Sequence, residues 1–111
     1  MVTKGNKEQF EKWVTNQYFW DEEFLFSDYP FVMQIGVYLA YYDSLGLMIY
    51  VEYHPHKKDF THVILDKEKN GTHLHYNVYF NGVCDDEKFN TRNEAYKEAF
   101  KKADKLINDK L

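Results

Sequence analysis

Histidine is the residue type in this chain best suited to chemistry, and four of the five histidines form two close pairs. His73 and His75 stand two positions apart, so a strand would place both imidazoles on one face, with Glu52 on that same face of the predicted sheet. A metal site needs three or four ligands converging within about 2.0–2.3 Å of one point. The sequence offers no further ligand at a suitable spacing and favours surface imidazoles. A metal-dependent hydrolase using His73, His75 and Glu52 is the alternative.

The sequence shows no other catalytic signature. Ser44 lacks the glycine-flanked turn that exposes a nucleophilic serine, and there is neither a phosphate-binding glycine loop nor an EF-hand pattern. His62, on the apolar face of a predicted strand, is expected to be a hydrogen-bonded histidine of the core or its rim. We therefore expect a protein that is not an enzyme and that uses no cofactor or metal.

Composition restricts the class of protein further. A chain of 111 residues with 44% hydrophobic and 29% charged residues is expected to form a single α+β domain over residues 1–111. No apolar run approaches the roughly 20 residues of a membrane helix. The N-terminus shows no signal-like stretch, and the single cysteine, Cys84, fits a reducing compartment. We expect a cytoplasmic location, and the net charge of −4 opposes nonspecific nucleic-acid binding.

Helices are predicted at both ends of the chain. The first begins near Asn6, which with Gln9 forms a variant of the capping box, and an aromatic connection follows it. The last begins after Thr91, whose capping box with Glu94 is complete. Behind that cap runs a stripe of small and apolar residues that lets the helix approach a sheet closely: Ala95, Ala99, Ala103 and Leu106.

Residues 31–45 fit two structures. Apolar residues alternate along them as in a strand, but they also fit a helix capped by Ser27 or Asp28, with Pro30 in its first turn and Gly46 at its end. The segment is long for a strand, whose usual length is about five to six residues. We therefore favour the helix.

Three following segments, at residues 47–54, 60–66 and 74–80, predict an antiparallel meander. Asn70-Gly71 is a strong hairpin signal between the second and third strands. A further pair, Asn81-Gly82, ends the third strand or turns into a short fourth one. The expected fold class is α+β: a three- or four-stranded antiparallel meander packed on one face by N-terminal helices and a C-terminal helix.

Alternation along these strands divides the sheet into an apolar face and a mixed face. We take Val51 to pair with His62, and Ile64 with Leu74. In this register one face is nearly all apolar, and we expect the helices to pack on it. The mixed face combines rings with hydrogen-bonding groups, and these of its members form the predicted binding surface: Tyr50, Glu52, Thr61, His73, His75, Asn77 and Tyr79. We expect a small binding or regulatory module that contacts a protein partner or self-associates. Stacking of a nucleic acid or nucleotide on Tyr50 and Tyr79 is a second hypothesis.

Short motifs resemble two known groups of proteins. The tail Phe89-Asn90-Thr91-Arg92-Asn93-Glu94-Ala95 and the stretches Gly36-Val37-Tyr38 and Tyr42-Asp43-Ser44 are similar to small uncharacterised proteins of Bacteroidales bacteria, their phages and mobile elements. This resemblance implies a mobile-element accessory protein, and a phage-type acidic inhibitor of a host enzyme is a further hypothesis. The order helix, three strands, helix resembles the double-stranded-RNA-binding domain, but residues 91–94 lack the lysines that contact phosphates there.

Overall fold

Helices precede and follow a two-stranded antiparallel sheet in the part of the chain that the structure describes. This structure is a computed structural model, and it describes residues 1–18, 26–67 and 88–111. The elements in chain order are helix α1 (Lys4–Tyr18), a short 3-10 turn (Phe26–Asp28), helix α2 (Phe31–Ser44), strand β1 (Leu47–His54), strand β2 (Asp59–Asp66) and helix α3 (Arg92–Lys110). The expected α+β class is confirmed.

The two strands form a continuous hairpin, in which the expected opposition of Val51 and His62 is confirmed. An antiparallel bridge joins Phe89 to β2 through two backbone hydrogen bonds of 2.9 Å with Phe60. The predicted third strand at residues 74–80, with every pairing expected of it, lies outside the described residues. The three- or four-stranded meander therefore stays a prediction.

Residues 31–45 contain the favoured helix, but its start differs from the prediction. Neither Ser27 nor Asp28 caps α2. Pro30 occupies the cap position instead, and its carbonyl oxygen accepts the first helical hydrogen bonds. Proline suits this place because it has no N–H to satisfy and its φ is already fixed. The Gln34 amide nitrogen holds the preceding turn by donating to two carbonyl oxygens upstream of Pro30, at 3.2 and 2.7 Å.

The predicted stop at Gly46 is confirmed. Gly46 has a φ of 87°, in the left-handed region that glycine enters without a steric penalty. The N–H groups of Leu45 and Gly46 donate to the carbonyl oxygens of Tyr42 and Asp43, both at 3.0 Å. This tight stop leads directly into β1, so Leu47 is buried and α2 lies against β1.

The start of α1 contradicts the prediction. The helix begins at Lys4 rather than near Asn6, and Asn6 is completely buried instead of acting as the cap. Two α3 side chains accept the N–H groups at this helix start: Asp104 Oδ1 accepts from Thr3 N at 2.8 Å, and Asn108 Oδ1 accepts from Asn6 N at 2.9 Å. The capping groups therefore come from the far end of the chain and not from a local capping box.

The capping box of α3 is confirmed, because the Glu94 N–H donates to Thr91 Oγ1 at 3.1 Å. The three alanines of the predicted stripe are fully buried, whereas Leu106 is only half-buried. Through this face α3 contacts both strands. Aromatic rings from α1 and α2 complete the core around Phe100: Phe10, Tyr38, Tyr41 and Tyr42.

Candidate functional site

Three of the seven residues predicted to form a binding surface are described, and the sheet brings all three together. Thr61 of β2 lies directly opposite Glu52 of β1, and Tyr50 lies one residue pair further along the same face. Tyr50 is 37% exposed, Glu52 is exposed and Thr61 is half-buried. The other four predicted residues fall outside the described residues: His73, His75, Asn77 and Tyr79. The mixed face is therefore open to a ligand or partner at Tyr50 and Glu52.

The mixed face is not open along its whole length. Leu65, which pairs with Met48, is only 7% exposed. Towards the other end of the hairpin, the His54 imidazole Nε2 lies 2.8 Å from Thr61 Oγ1. That contact connects the histidine to the predicted surface.

The surroundings of Tyr50 favour the protonated form of its phenol. Burial raises the pKa of Tyr50 above its ordinary value, and the neighbouring Glu52 carboxylate raises it further. A phenol in this state is a hydrogen-bond donor at neutral pH, and the carboxylate beside it is an acceptor. The Tyr50 phenol and the Glu52 carboxylate thus lie side by side on an exposed strand, and hydrogen bonding between them contributes to the raised pKa of Tyr50.

Alternation assigns Tyr53 to the apolar face, the side of the sheet opposite Tyr50 and Glu52, yet its ring is exposed. Exposure along that face of β1 rises from 1% at Leu47 and 7% at Ile49 to 50% at Tyr53. The Tyr53 ring contacts Phe60, with 4.9 Å between the ring centroids. Two residues separate helix α2 from β1, the helix contacts that strand, and the exposure of the strand on this face increases away from the helix end. The sequence signal available for this was the short connection between helix and strand.

The outer edge of β1 carries backbone groups directed away from β2. The Lys67 N–H donates to the Gly46 carbonyl oxygen at 2.9 Å, which fixes the alternation of the ladder. It follows that Leu47, Ile49, Val51 and Tyr53 direct their N–H and C=O groups to the outer edge. Within the described ranges no strand pairs with this side of β1. We call this row of backbone groups the β1 edge.

A groove runs beside the β1 edge where α2 meets the strand. Its volume is about 250 Å³, and it is lined by residues of both elements: Leu39, Ala40, Asp43, Met48 and Ile49. The Asp43 carboxylate forms an ion pair with Lys67. The groove is apolar apart from Asp43, and it leaves space along this part of the strand.

His62, the histidine of β2, lies inside the protein. His62 is 1% exposed, its Nε2 lies 3.3 Å from the Lys102 ammonium, and its ring centroid lies 5.7 Å from that of Phe89. The prediction of a hydrogen-bonded core or rim histidine is confirmed. Among the described residues, no three histidine, cysteine or carboxylate side chains are placed to hold a metal ion.

A buried polar cluster links the three helices. The Asn6 side-chain amide donates to Asp104 Oδ1 at 2.7 Å and to the Tyr42 hydroxyl at 3.2 Å, and the Tyr41 hydroxyl donates to Asn6 Oδ1 at 2.5 Å. Thr3 Oγ1 also donates to this aspartate, at 2.6 Å. The partners satisfy one another inside the fold, so the cluster orders the helices and presents no reacting group to a ligand.

The buried tyrosines predict loss of stability at high pH. Burial raises the pKa of Tyr38 and of Tyr41 to about 12, and it also raises the pKa of Tyr42. In the unfolded chain these phenols ionise near their ordinary value of 10.0. Between about pH 10 and pH 12 the unfolded state therefore binds fewer protons than the folded state, and the free energy of unfolding falls as pH rises.

Urea unfolding at a series of pH values, read together with tyrosinate absorbance, measures this effect. We expect the urea midpoint to fall above pH 10, and tyrosinate to appear together with unfolding. Tyr38→Phe removes one of the three groups and should reduce the slope. A midpoint that is flat to pH 12 would contradict this assignment of the tyrosines.

The described residues thus define an α+β domain with an exposed aromatic strand at one edge of its sheet. None of the described helices is both long and apolar enough to cross a membrane. No protein-family model, curated protein or solved structure matches the chain.

Proposed function

We propose that the protein is a noncatalytic binding module that makes protein–protein contacts through Tyr50, Glu52 and Tyr53 of β1. The observation that carries the proposal is the exposure of two tyrosine rings, 37% and 50%, beside the β1 edge. Tyrosine is enriched at the energetic centres of protein interfaces because it combines a large apolar ring with a hydrogen-bonding group. The β1 edge, with which no strand of the described ranges pairs, adds backbone donors and acceptors that an extended partner can use.

The test is quantitative affinity capture with the full chain, comparing two doubly substituted variants. Tyr50→Ser with Tyr53→Ser removes both rings from the proposed surface. Val32→Ser with Met33→Ser removes similarly exposed apolar groups, 60% and 57%, from α2 and is the matched control. Both variants should fold, because each changes exposed side chains.

We expect the tyrosine variant to lose the captured proteins and the α2 variant to retain them. A tyrosine at an interface centre contributes about 2 kcal/mol or more on truncation, so binding should weaken at least about 30-fold. If both variants retained the same proteins at wild-type levels, the proposed surface would be wrong.

A further inference from the structure

Within the described residues, the β1 edge lacks several of the features that keep sheet edges from pairing. β1 is eight residues long, and its sequence, LMIYVEYH, contains no lysine and no proline. Every residue of β1 pairs one-to-one with β2, so no bulge twists the edge away. Glu52 is its only acidic residue. An edge of this length and apolar character is a site for strand addition.

The order of side chains along β1 is complementary to itself in one antiparallel register. When two copies of β1 meet with Val51 on a two-fold axis, residues whose numbers sum to 102 lie opposite each other. Tyr50 of each copy then faces Glu52 of the other, so that a phenol donor meets a carboxylate acceptor twice. Ile49 faces Tyr53 of the other copy, which is a favourable β-branched and aromatic pair.

The neighbouring registers are poorer. Moving the axis to Glu52 places the two Glu52 carboxylates opposite each other and brings Pro55, which has no N–H, opposite Ile49 inside the ladder, whereas in the register centred on Val51 it meets only the end residue Leu47. Moving it to Tyr50 places Glu52 opposite Met48, so the carboxylate meets a thioether that cannot donate. Of these three registers, only the one centred on Val51 pairs the Glu52 carboxylate with a donor.

Backbone direction agrees with this register. Ile49, Val51 and Tyr53 direct their N–H and C=O groups outward, and in the register centred on Val51 these three residues form the hydrogen-bonded pairs. The groove beside Met48 and Ile49 gives open space next to this part of the edge.

We infer that a second copy of this chain occupies the β1 edge, forming a two-fold dimer with a continuous four-stranded sheet in the order β2-β1-β1-β2. The inference rests on the binding surface proposed above and names its partner. The interface is isologous, since the same residues are used on both sides. Pairing of the two strands covers Tyr50 and Tyr53, the exposed rings of β1.

Sedimentation or light scattering of the full chain over a wide concentration range measures the oligomeric state. We expect a species of twice the protomer mass of 13.4 kDa that dissociates on dilution. The amide hydrogens of Ile49, Val51 and Tyr53 should exchange slowly in the dimer and rapidly in the diluted monomer. A monomer at every concentration would overturn the inference.

A charge exchange tests the register. Tyr50→Glu places two carboxylates opposite each other at both symmetric contacts and should weaken the dimer about tenfold or more. Adding Glu52→Lys to Tyr50→Glu restores opposite charges across the axis and should recover dimerisation. His56→Glu adds the same charge to the exposed hairpin connection, outside the paired stretch, and should leave the dimer unchanged.

The outcomes separate this inference from the proposed function. A dimer that Tyr50→Glu does not weaken, or whose outward β1 amides exchange freely, would show a different interface and overturn the inference. A monomeric wild-type chain that still loses a captured protein on Tyr50→Ser with Tyr53→Ser would refute the dimer while supporting a different protein as the partner. A dimer that the charge exchange breaks and restores supports the inference.

Discussion

Replacing Phe100 with alanine is expected to lower the free energy of unfolding by about 3–5 kcal/mol, because it removes a fully buried ring from the core. Phe100 has 0% exposure and lies where the rings of α2 meet α3. Its ring centroid lies 5.0 Å from that of Tyr38, 6.0 Å from Tyr42 and 5.8 Å from Tyr96. Alanine would remove all of these contacts and leave a cavity that rigid neighbouring rings cannot fill.

Equilibrium unfolding in urea, followed by tryptophan fluorescence, measures the change. Phe100→Leu keeps most of the apolar volume and should cost less than the alanine substitution. Met33→Ala is the exposed control, because Met33 is 57% exposed and its truncation should change stability by less than about 0.5 kcal/mol. A loss below about 1 kcal/mol for Phe100→Ala would show that this ring is not central to the core.

Local sequence patterns predict those elements whose signals are themselves local. The capping box at Thr91 and Glu94 acts over three residues, and the structure contains it. Gly46 ends α2 because the left-handed conformation is a property of that one residue. The pairing of Val51 with His62 followed from alternation and from the length of the connection between the strands.

Tertiary contacts account for what the sequence did not predict. Asn6 has the side chain of a helix cap, but Asp104 and Asn108 supply that function from about a hundred positions away, so Asn6 is free to enter the core. No local pattern contains such a partner.

Only part of the candidate surface was predicted, because the rest of it also depends on tertiary contacts. Tyr50 and Glu52 could be placed on an exposed face by counting residues, because the side-chain period of a strand is two. The exposure of Tyr53 depends on where α2 stops along β1. The burial of Leu65 depends on contacts with other parts of the fold, which counting residues along a strand does not give. Which side of β1 has no partner strand among the described residues depends on which strands are neighbours, and that is settled only when the chain folds.

Replacing Asp104 with alanine is expected to destabilise the protein by about 3 kcal/mol, because several donors would lose a charged acceptor inside the fold. Asp104 is 8% exposed. It accepts from Thr3 N at 2.8 Å, Thr3 Oγ1 at 2.6 Å, the Asn6 amide at 2.7 Å and the Asn108 amide at 3.2 Å. Three of these donors belong to the start of α1, so the loss should be concentrated there.

Two further variants and one local measurement distinguish Asp104, which accepts four hydrogen bonds, from an ordinary surface carboxylate. Asp104→Asn keeps one acceptor oxygen and should cost less than alanine, whereas Asp109→Ala removes an exposed ion pair with Lys105 and should cost less than about 0.5 kcal/mol. Hydrogen exchange of the first α1 amides should accelerate in Asp104→Ala more than exchange in the sheet, because α1 loses its cap. Equal effects of Asp104→Ala and Asp109→Ala would show that α1 is held by its apolar contacts alone. The N-terminal helix would then need no polar contact with α3, and the burial of Asn6 would have to be offset by its two tyrosine partners.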